Sequence, residues 1–243
     1  MIGDILQWLL SGQEWSGSSG ILARLIEHIW YTLLVIVLAS LIAVPAGLWI
    51  GHTGRGRWMV TVANALRAIP TLGLLFALTL VLLPHLPGSA AFVVPSIAVL
   101  VLLAVPPILS GTYSGVESTD PVALDAARGI GMTGPQVLRT VEVPIALPLL
   151  ISGVRAAVLQ VVATATIAAY VGLGGLGRFL IDGLATSDYV ATAGGAILVA
   201  LLALALDAPF ALLERIVVSP GLSGRLPRTT DPSTHPAPAG GTS

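Results

Sequence analysis

Few side chains in this 243-residue sequence are placed to do covalent chemistry. The four histidines, at positions 28, 52, 85 and 235, fall where the pattern predicts loops, the ends of apolar segments or the C-terminal tail. An intramembrane enzyme would need paired acids, or a serine with a histidine, at membrane depth, and no acidic pair lies inside the apolar segments. With no cysteine, Cys-ligated metals are excluded. We therefore predict no catalytic residue and no metal site.

A run of glycines at 172, 174, 175 and 177 has the composition of a phosphate-binding loop. Such a loop follows a strand and opens a helix, whereas this run follows a long apolar segment, and the sequence contains no lysine that would complete the site. The run is interpreted instead as a flexible, closely packed turn near an external gate.

Arg67 is the one strongly charged residue well inside an apolar segment. Such residues usually face a bundle interior or a water-filled path, where a fixed cation would repel other cations. The favoured alternative is that Arg67 reaches the cytoplasmic interface or pairs with a carbonyl near Pro70, and Asp207 is another candidate partner. The candidate pathway or gate residues are Arg67, Pro70, Tyr170, Gly174 and Gly175.

The elements that must position these residues are predicted to cross a membrane. The chain is 55% hydrophobic and 9% charged, against about 25% charged residues in soluble domains. Its net charge of −1 gives no basic footprint for nucleic acid. Crossing the bilayer takes about 20 apolar residues, and five stretches qualify, the second predicted to be kinked or broken near Pro70. These stretches are 29–51, 58–83, 91–111, 147–171 and 190–213.

Arginine placement predicts the orientation, because cytoplasmic loops carry an excess of basic residues. Arginines between the first two spans, in the long loop before the fourth and after the fifth all fall on one side if the N-terminus is outside and the C-terminus is cytoplasmic. These are Arg55, Arg57, Arg128, Arg139, Arg215, Arg225 and Arg228. The predicted domains are an external segment (1–28), a transmembrane domain (29–218) and a disordered cytoplasmic tail (219–243).

The long loop at about 113–147 is predicted to be ordered. Asp120 fits a helix N-cap with Pro121 at the first helical position, and glycines at 129 and 131 end that helix. Thr133 and Gln136 fit a capping box, so a second helix is predicted over 134–141, ending before Pro144. Small alanines facing out would let a partner approach closely. The alternative is an interfacial helical hairpin without a partner.

The same loop carries a motif whose spacing is specific. Asp125-Ala126-Ala127, three residues, Gly131, nine residues and Val141-Glu142-Val143-Pro144 resemble the EAA motif of binding-protein-dependent ABC importer permeases, which reads Glu-Ala-Ala, three residues, Gly, nine residues and Ile-x-Leu-Pro. Asp125 replaces glutamate and shortens the carboxylate by one methylene. The resemblance implies that the motif residues couple the chain to an ATPase: Asp125, Ala126, Ala127, Gly131, Val141 and Pro144.

The resemblance implies an all-α polytopic membrane protein with the five-span core of the type I, methionine-importer-like permease fold. It implies a multi-pass protein of the bacterial plasma membrane that is not itself an enzyme and holds no cofactor, since ATP and Mg²⁺ bind the partner. The implied partners are ABC ATPase subunits, a second permease chain, an extracytoplasmic substrate-binding protein and the lipid bilayer. A channel acting alone is the alternative, although a channel needs no docking loop.

Three further segments are similar to the osmoprotectant branch, which moves glycine betaine, choline and carnitine. They are Arg67–Leu75, Pro106–Val116 and Tyr170–Leu184. The alternative is a permease of the same fold that imports methionine or another amino acid.

Overall fold

The computed structural model describes residues 1–217, and the predicted disordered tail, 219–243, lies outside the described residues. Ten α-helices follow one another within that range, several of them extended by short 3₁₀ or π turns. They are α1 Ile2–Leu10, α2 Ile21–Thr53, α3 Arg57–Ala65, α4 Thr71–Leu82, α5 Ala90–Glu117, α6 Pro121–Gly129, α7 Gly134–Val137, α8 Val143–Ala168, α9 Gly177–Thr186 and α10 Tyr189–Val217.

The helices divide into the predicted number of spans. Four of them, α2, α5, the continuous helix Gly134–Val171 and α10, are long enough to cross a bilayer, with mean hydropathy of 2.0 to 2.6. Two further helical segments, Arg57–Ala68 and Thr71–His85, form a fifth, broken span bent by 92°. The break was predicted near Pro70, and Ile69 takes the extended conformation (φ −73°, ψ 129°) that a following proline favours.

Helix α5 is the centre of the bundle and packs against α2, α4 and α8. Lipid tails are as apolar as the side chains, so helices in a membrane associate through close packing of small residues. Gly111 and Gly115 of α5 provide such a surface opposite Ala146 and Gly153 of α8. A Cβ added to Gly111 would lie 2.9 Å from the Gly153 Cα, so the two backbones are in direct contact.

Two short helices that the sequence did not predict, α1 and α9, cover one end of α10. Trp8 of α1 lies on Gly194 and meets Phe179 of α9 edge-on, with ring centroids 5.3 Å apart. Leu198 and Leu202 of α10 join the buried cluster beneath them. These contacts fold the predicted external segment onto the bundle.

Helix α2 begins at Ile21, eight residues before the predicted start of the first span at 29. Two charged residues in these added turns pair with each other inside the helix, since Arg24 Nη1 donates to Glu27 Oε2 at 2.9 Å. His28 was predicted at the edge of the span, but the structure buries it within α2, with 1% of its surface exposed.

An ion pair joins the last two spans. Arg155 of α8 donates from Nε and Nη2 to the two carboxylate oxygens of Asp207 in α10, at 2.6 and 2.7 Å, and from Nη1 to Glu214 at 2.8 Å. This fork satisfies both acids. Asp207 therefore pairs with Arg155, and the partnership with Arg67 considered from the sequence is wrong.

Candidate functional site

The predicted docking segment is ordered as its capping residues indicate. The Val122 N–H donates to Asp120 Oδ1 at 2.9 Å and starts α6. Gln136 Oε1 accepts from the Thr133 N–H at 2.8 Å and completes the capping box that starts α7. Gly131, between the two helices, has φ +91°, a backbone conformation that residues other than glycine rarely adopt. Both predicted helix starts are confirmed.

Helix α6 turns one of its two motif alanines inward. Asp125 and Ala126 are exposed, but Ala127 is only 6% exposed and packs against its own chain. The prediction that both alanines face out is therefore wrong for Ala127. Helix α6 contacts α7 and the π turn after it.

The outward face of α6 carries a stripe that sequence reasoning missed. Val122 is 73% exposed and Ile130 is 77% exposed, with exposed Ala126 midway between them. A spacing of four residues puts Val122 and Ala126 on one side of α6. Ile130 directly follows the helix, with its N–H on the Ala126 carbonyl, and continues this side, so a small residue lies between two large apolar ones. This four-residue spacing is visible in the sequence and could have predicted the stripe. We call Val122, Ala126 and Ile130 the docking stripe.

The second helix of the docking segment runs directly into the fourth span. It was predicted to end before Pro144, but α7, a π turn over Leu138–Glu142 and α8 form one helix. Proline lacks an N–H and its ring clashes with the carbonyl four residues earlier. The wider turn, in which the Val143 N–H donates to Leu138 O, accommodates it. Motif residue Val141 is half-buried in this turn and Pro144 is exposed.

A buried polar contact ties this turn to the first span. The Glu142 carboxylate, 3% exposed, lies 2.6 Å from His52 Nδ1 of α2. His52 also packs against the docking segment, since a Cβ added to Gly134 would lie 3.4 Å from its Nε2. Sequence reasoning left Glu142 as the variable position of the motif and missed this contact, because the two residues are 90 positions apart.

The predicted pathway residue Arg67 lies in the 3₁₀ turn just before the break at Pro70, and its side chain is exposed. It donates from Nη2 to Gln160 Oε1 of α8 at 2.9 Å, and Gln160 Nε2 donates to Leu103 O of α5 at 2.9 Å. The pairing with a carbonyl near Pro70, favoured from the sequence, is therefore not the one that forms.

The glycine turn after α8 is held by two side chains of α2. Glu27 Oε2 accepts from the Gly175 N–H at 2.8 Å, and a Cβ on Gly174 would overlap the same carboxylate. His28 Nδ1 accepts from the Leu176 N–H while Nε2 contacts Val162 O, both at 3.2 Å. The turn is closely packed because the carboxylate and imidazole need direct access to its backbone.

The remaining gate candidate, Tyr170, is half exposed and lines a cavity of about 360 Å³ beside this turn. Phe76 of α4 and Phe92 of α5 line the same cavity. The structure thus brings Tyr170 and the glycine turn together and places Arg67 and Pro70 at a separate position, on the break in the second span.

Residues 36–219 match the family described as "Binding-protein-dependent transport system inner membrane component". Among curated proteins, the glycine betaine/carnitine/choline transport system permease protein OpuCB of Bacillus subtilis is 34% identical over 82% of this chain and 88% of that protein. The osmoprotectant import permease protein OsmW of Salmonella typhimurium is 36% identical over 84% of this chain and 95% of that protein.

Solved structures share the fold. An inward-facing structure of the MetNI methionine ABC transporter superposes on 82% of this chain and 96% of that chain, with a TM-score of 0.70 and 21% identity. The predicted five-span, methionine-importer-like architecture is thereby confirmed.

Proposed function

Because this chain belongs to the family of inner membrane components of binding-protein-dependent transport systems, and is thus the permease subunit of an ABC importer, we propose that it carries osmoprotectants such as glycine betaine, choline or carnitine. The observation that carries this proposal is the likeness to permeases named for these solutes, at 32–36% identity over most of both chains. The likeness to methionine and amino-acid transporters rests on 19–22% identity, which speaks for the fold and not for the substrate.

The proposed mechanism is alternating access driven by a separate ATPase. Two ATPase subunits, which bind ATP and Mg²⁺, dock on the motif segments of two permease chains at the cytoplasmic face. A binding protein delivers the solute outside, and the solute passes between the permeases. The chain lies in the plasma membrane with its N-terminus outside and its C-terminus inside. ATP binding and the loaded binding protein each shift the balance between inward-open and outward-open states.

The docking stripe supports the ATPase partnership. Isolated exposed apolar residues are common, but two large ones flanking an alanine on a helix suit a groove on another protein. The continuous helix from α7 to α8 joins this surface to the fourth span. A displacement of α6 by the ATPase would therefore be transmitted to the membrane domain through this continuous helix.

We expect Ile130→Asp to lower binding of the ATPase subunits at least ten-fold, because a charge would enter an apolar contact at a cost of more than about 1.4 kcal/mol. Co-purification from membranes and ATPase binding to the permease in nanodiscs measure this. Arg139→Ala, which also lowers the charge by one unit at an exposed position of the same segment but off the stripe, is the matched control. Undiminished ATPase binding by Ile130→Asp would contradict the docking role.

The substrate proposal is tested by uptake into proteoliposomes that contain the permease, its ATPase and its binding protein. We expect accumulation of labelled glycine betaine that requires internal ATP and stops when ATP is replaced by a non-hydrolysable analogue. Accumulation of methionine instead would favour the amino-acid alternative. Flux without ATP would favour a channel.

A further inference from the structure

Three contacts fix the depth at which Arg67 lies. Helix α3 runs antiparallel to the second half of α5, and Arg57 pairs with Glu117, the last residue of α5, at 3.1 Å. Seven residues further along α3, Asn64 Nδ2 donates to Ser110 Oγ at 3.0 Å.

The third contact is the one through Gln160 to the Leu103 carbonyl. Glu117, Ser110 and Leu103 are spaced by seven residues, which is about 10 Å along a helix. Leu103 is fourteenth of the 28 residues of α5. The Arg67 guanidinium therefore lies level with the middle of α5, a helix long enough to span the bilayer.

Arg67 is a cation without a counter-charge at this depth. Five other arginines in the described part of the chain contact an acidic side chain within 4 Å, namely Arg24, Arg57, Arg128, Arg155 and Arg178. Arg67 has no acidic partner among residues 1–217, and its partner Gln160 is neutral. Charges at the bilayer centre are costly and are retained where they face a water-filled path. The guanidinium keeps further N–H donors for an anion.

The break in the second span adds a second positive element. Helix α4 begins at Thr71, four residues after Arg67, and its N-cap, Pro70, makes no side-chain capping hydrogen bond. The N–H groups of a first helical turn have no partner within the helix and carry partial positive charge. Broken membrane helices use such ends to hold the anionic groups of substrates. Arg67 and this uncapped end belong to the same break.

The surface around Arg67 is suited to a path and not to lipid. Beside Gln160, α8 exposes three small residues, Ser152, Ala156 and Ala163, and the same face continues through Ile167 to Tyr170, just after the end of α8. These positions recur at three-, four- and seven-residue intervals and so share one face of α8. Gln160 and Tyr170 are ten residues apart on α8, about 15 Å. This face therefore runs from the level of Arg67 to the aromatic cavity at the end of the helix.

We propose that Arg67, together with the start of α4, binds the carboxylate of zwitterionic osmoprotectants halfway across the membrane and so selects glycine betaine and carnitine over choline. This inference rests on the proposed function. Glycine betaine and carnitine carry both a quaternary ammonium and a carboxylate, whereas choline carries only the cation. A cation beside Arg67 is repelled, while a carboxylate gains charge-assisted hydrogen bonds.

The test uses the complete transporter in proteoliposomes and measures the ratio of glycine betaine to choline uptake from an equimolar mixture. Arg67→Gln is expected to lower this ratio at least ten-fold, and Arg67→Lys, which keeps the charge, to hold it within about three-fold of the unaltered protein. Equilibrium binding of each labelled solute to the permease–ATPase complex in nanodiscs removes the selectivity of the binding protein from the measurement. Arg55→Gln, an exposed arginine in the turn between α2 and α3, is the control and leaves the ratio unchanged.

An unchanged ratio in Arg67→Gln, or equal loss of both solutes, would overturn the proposal, because a structural role affects both. If Arg67→Gln does not assemble, Arg67→Met, also neutral and of similar length, takes its place, and an unchanged ratio in that variant would overturn the proposal. No uptake of either solute by the unaltered transporter would refute the proposed function as well. Uptake with an indifferent ratio would refute the selectivity alone.

Discussion

Gly111→Leu is expected to prevent formation of a stable bundle. A Cβ at this position would lie 2.6 Å from the Leu149 carbonyl oxygen and 2.9 Å from the Gly153 Cα. Both are backbone atoms of α8, so neither can move aside by a change of rotamer. Overpacking of this kind costs about 3 kcal/mol or more, a large share of the stability of a typical domain. The yield of monodisperse protein in detergent and its thermal unfolding midpoint measure the effect.

The matched pair for this experiment is Gly111→Ala beside Gly73→Ala, since both add one methyl group inside a span. At Gly73 the nearest atom is Pro70 Cβ at 3.8 Å, an ordinary contact, and an alanine there is expected to leave the unfolding midpoint within the experimental error. At Gly111 even the single methyl is expected to lower it clearly. Equal midpoints for the two alanine variants would show that α5 and α8 do not meet at Gly111.

His52→Phe is expected to lower stability by about 3 kcal/mol and to abolish uptake. The phenyl ring fills the imidazole site but leaves the Glu142 carboxylate buried without the partner now 2.6 Å away. Removing one member of a buried polar pair costs roughly 3–5 kcal/mol, because the remaining group keeps its desolvation penalty. Thermal unfolding in detergent reports the stability, and ATP-dependent uptake reports the loss of transport.

Two further variants separate the pair from the loss of a histidine as such. His52→Phe combined with Glu142→Leu removes both polar groups and is expected to recover most of the lost stability. His85→Phe, at an exposed histidine whose ring hydrogen-bonds the Val81 carbonyl four residues earlier, is expected to be neutral. If the double variant is no more stable than His52→Phe, the carboxylate is not what the histidine satisfies.

The spanning helices were predictable because a bilayer demands long apolar segments whose backbone bonds are internal. Pro70 marked the break in the second span for the same local reason. Helices α1 and α9 were missed because they are short and mixed in composition and become stable only by packing on α10. The rule that a proline ends the preceding helix failed at Pro144, because a π turn over Leu138–Glu142 lets the helix continue past a residue without an N–H.

The candidate site was predictable to the extent that it depends on local chemistry. Asp120 and Gln136 cap helices through neighbours two or three residues away. The inward turn of Ala127 depends on which face of α6 packs against the chain, and a motif does not contain that information. The partners of Arg67 and Glu142 lie 93 and 90 residues away along the chain. Such pairs form only when the spans assemble.

The two attachments between α2 and the helix Gly134–Val171 have a mechanical consequence. That helix has 38 residues, about 57 Å of continuous rod. His52 fastens it near one end, through Glu142, and His28 fastens it at the other, through Val162 and the turn that follows. Because the two helices are joined near both ends, we expect a displacement of α7 to tilt them together and to reach the glycine turn. We expect the broken span, which bends at Pro70, to change its angle relative to this pair of helices.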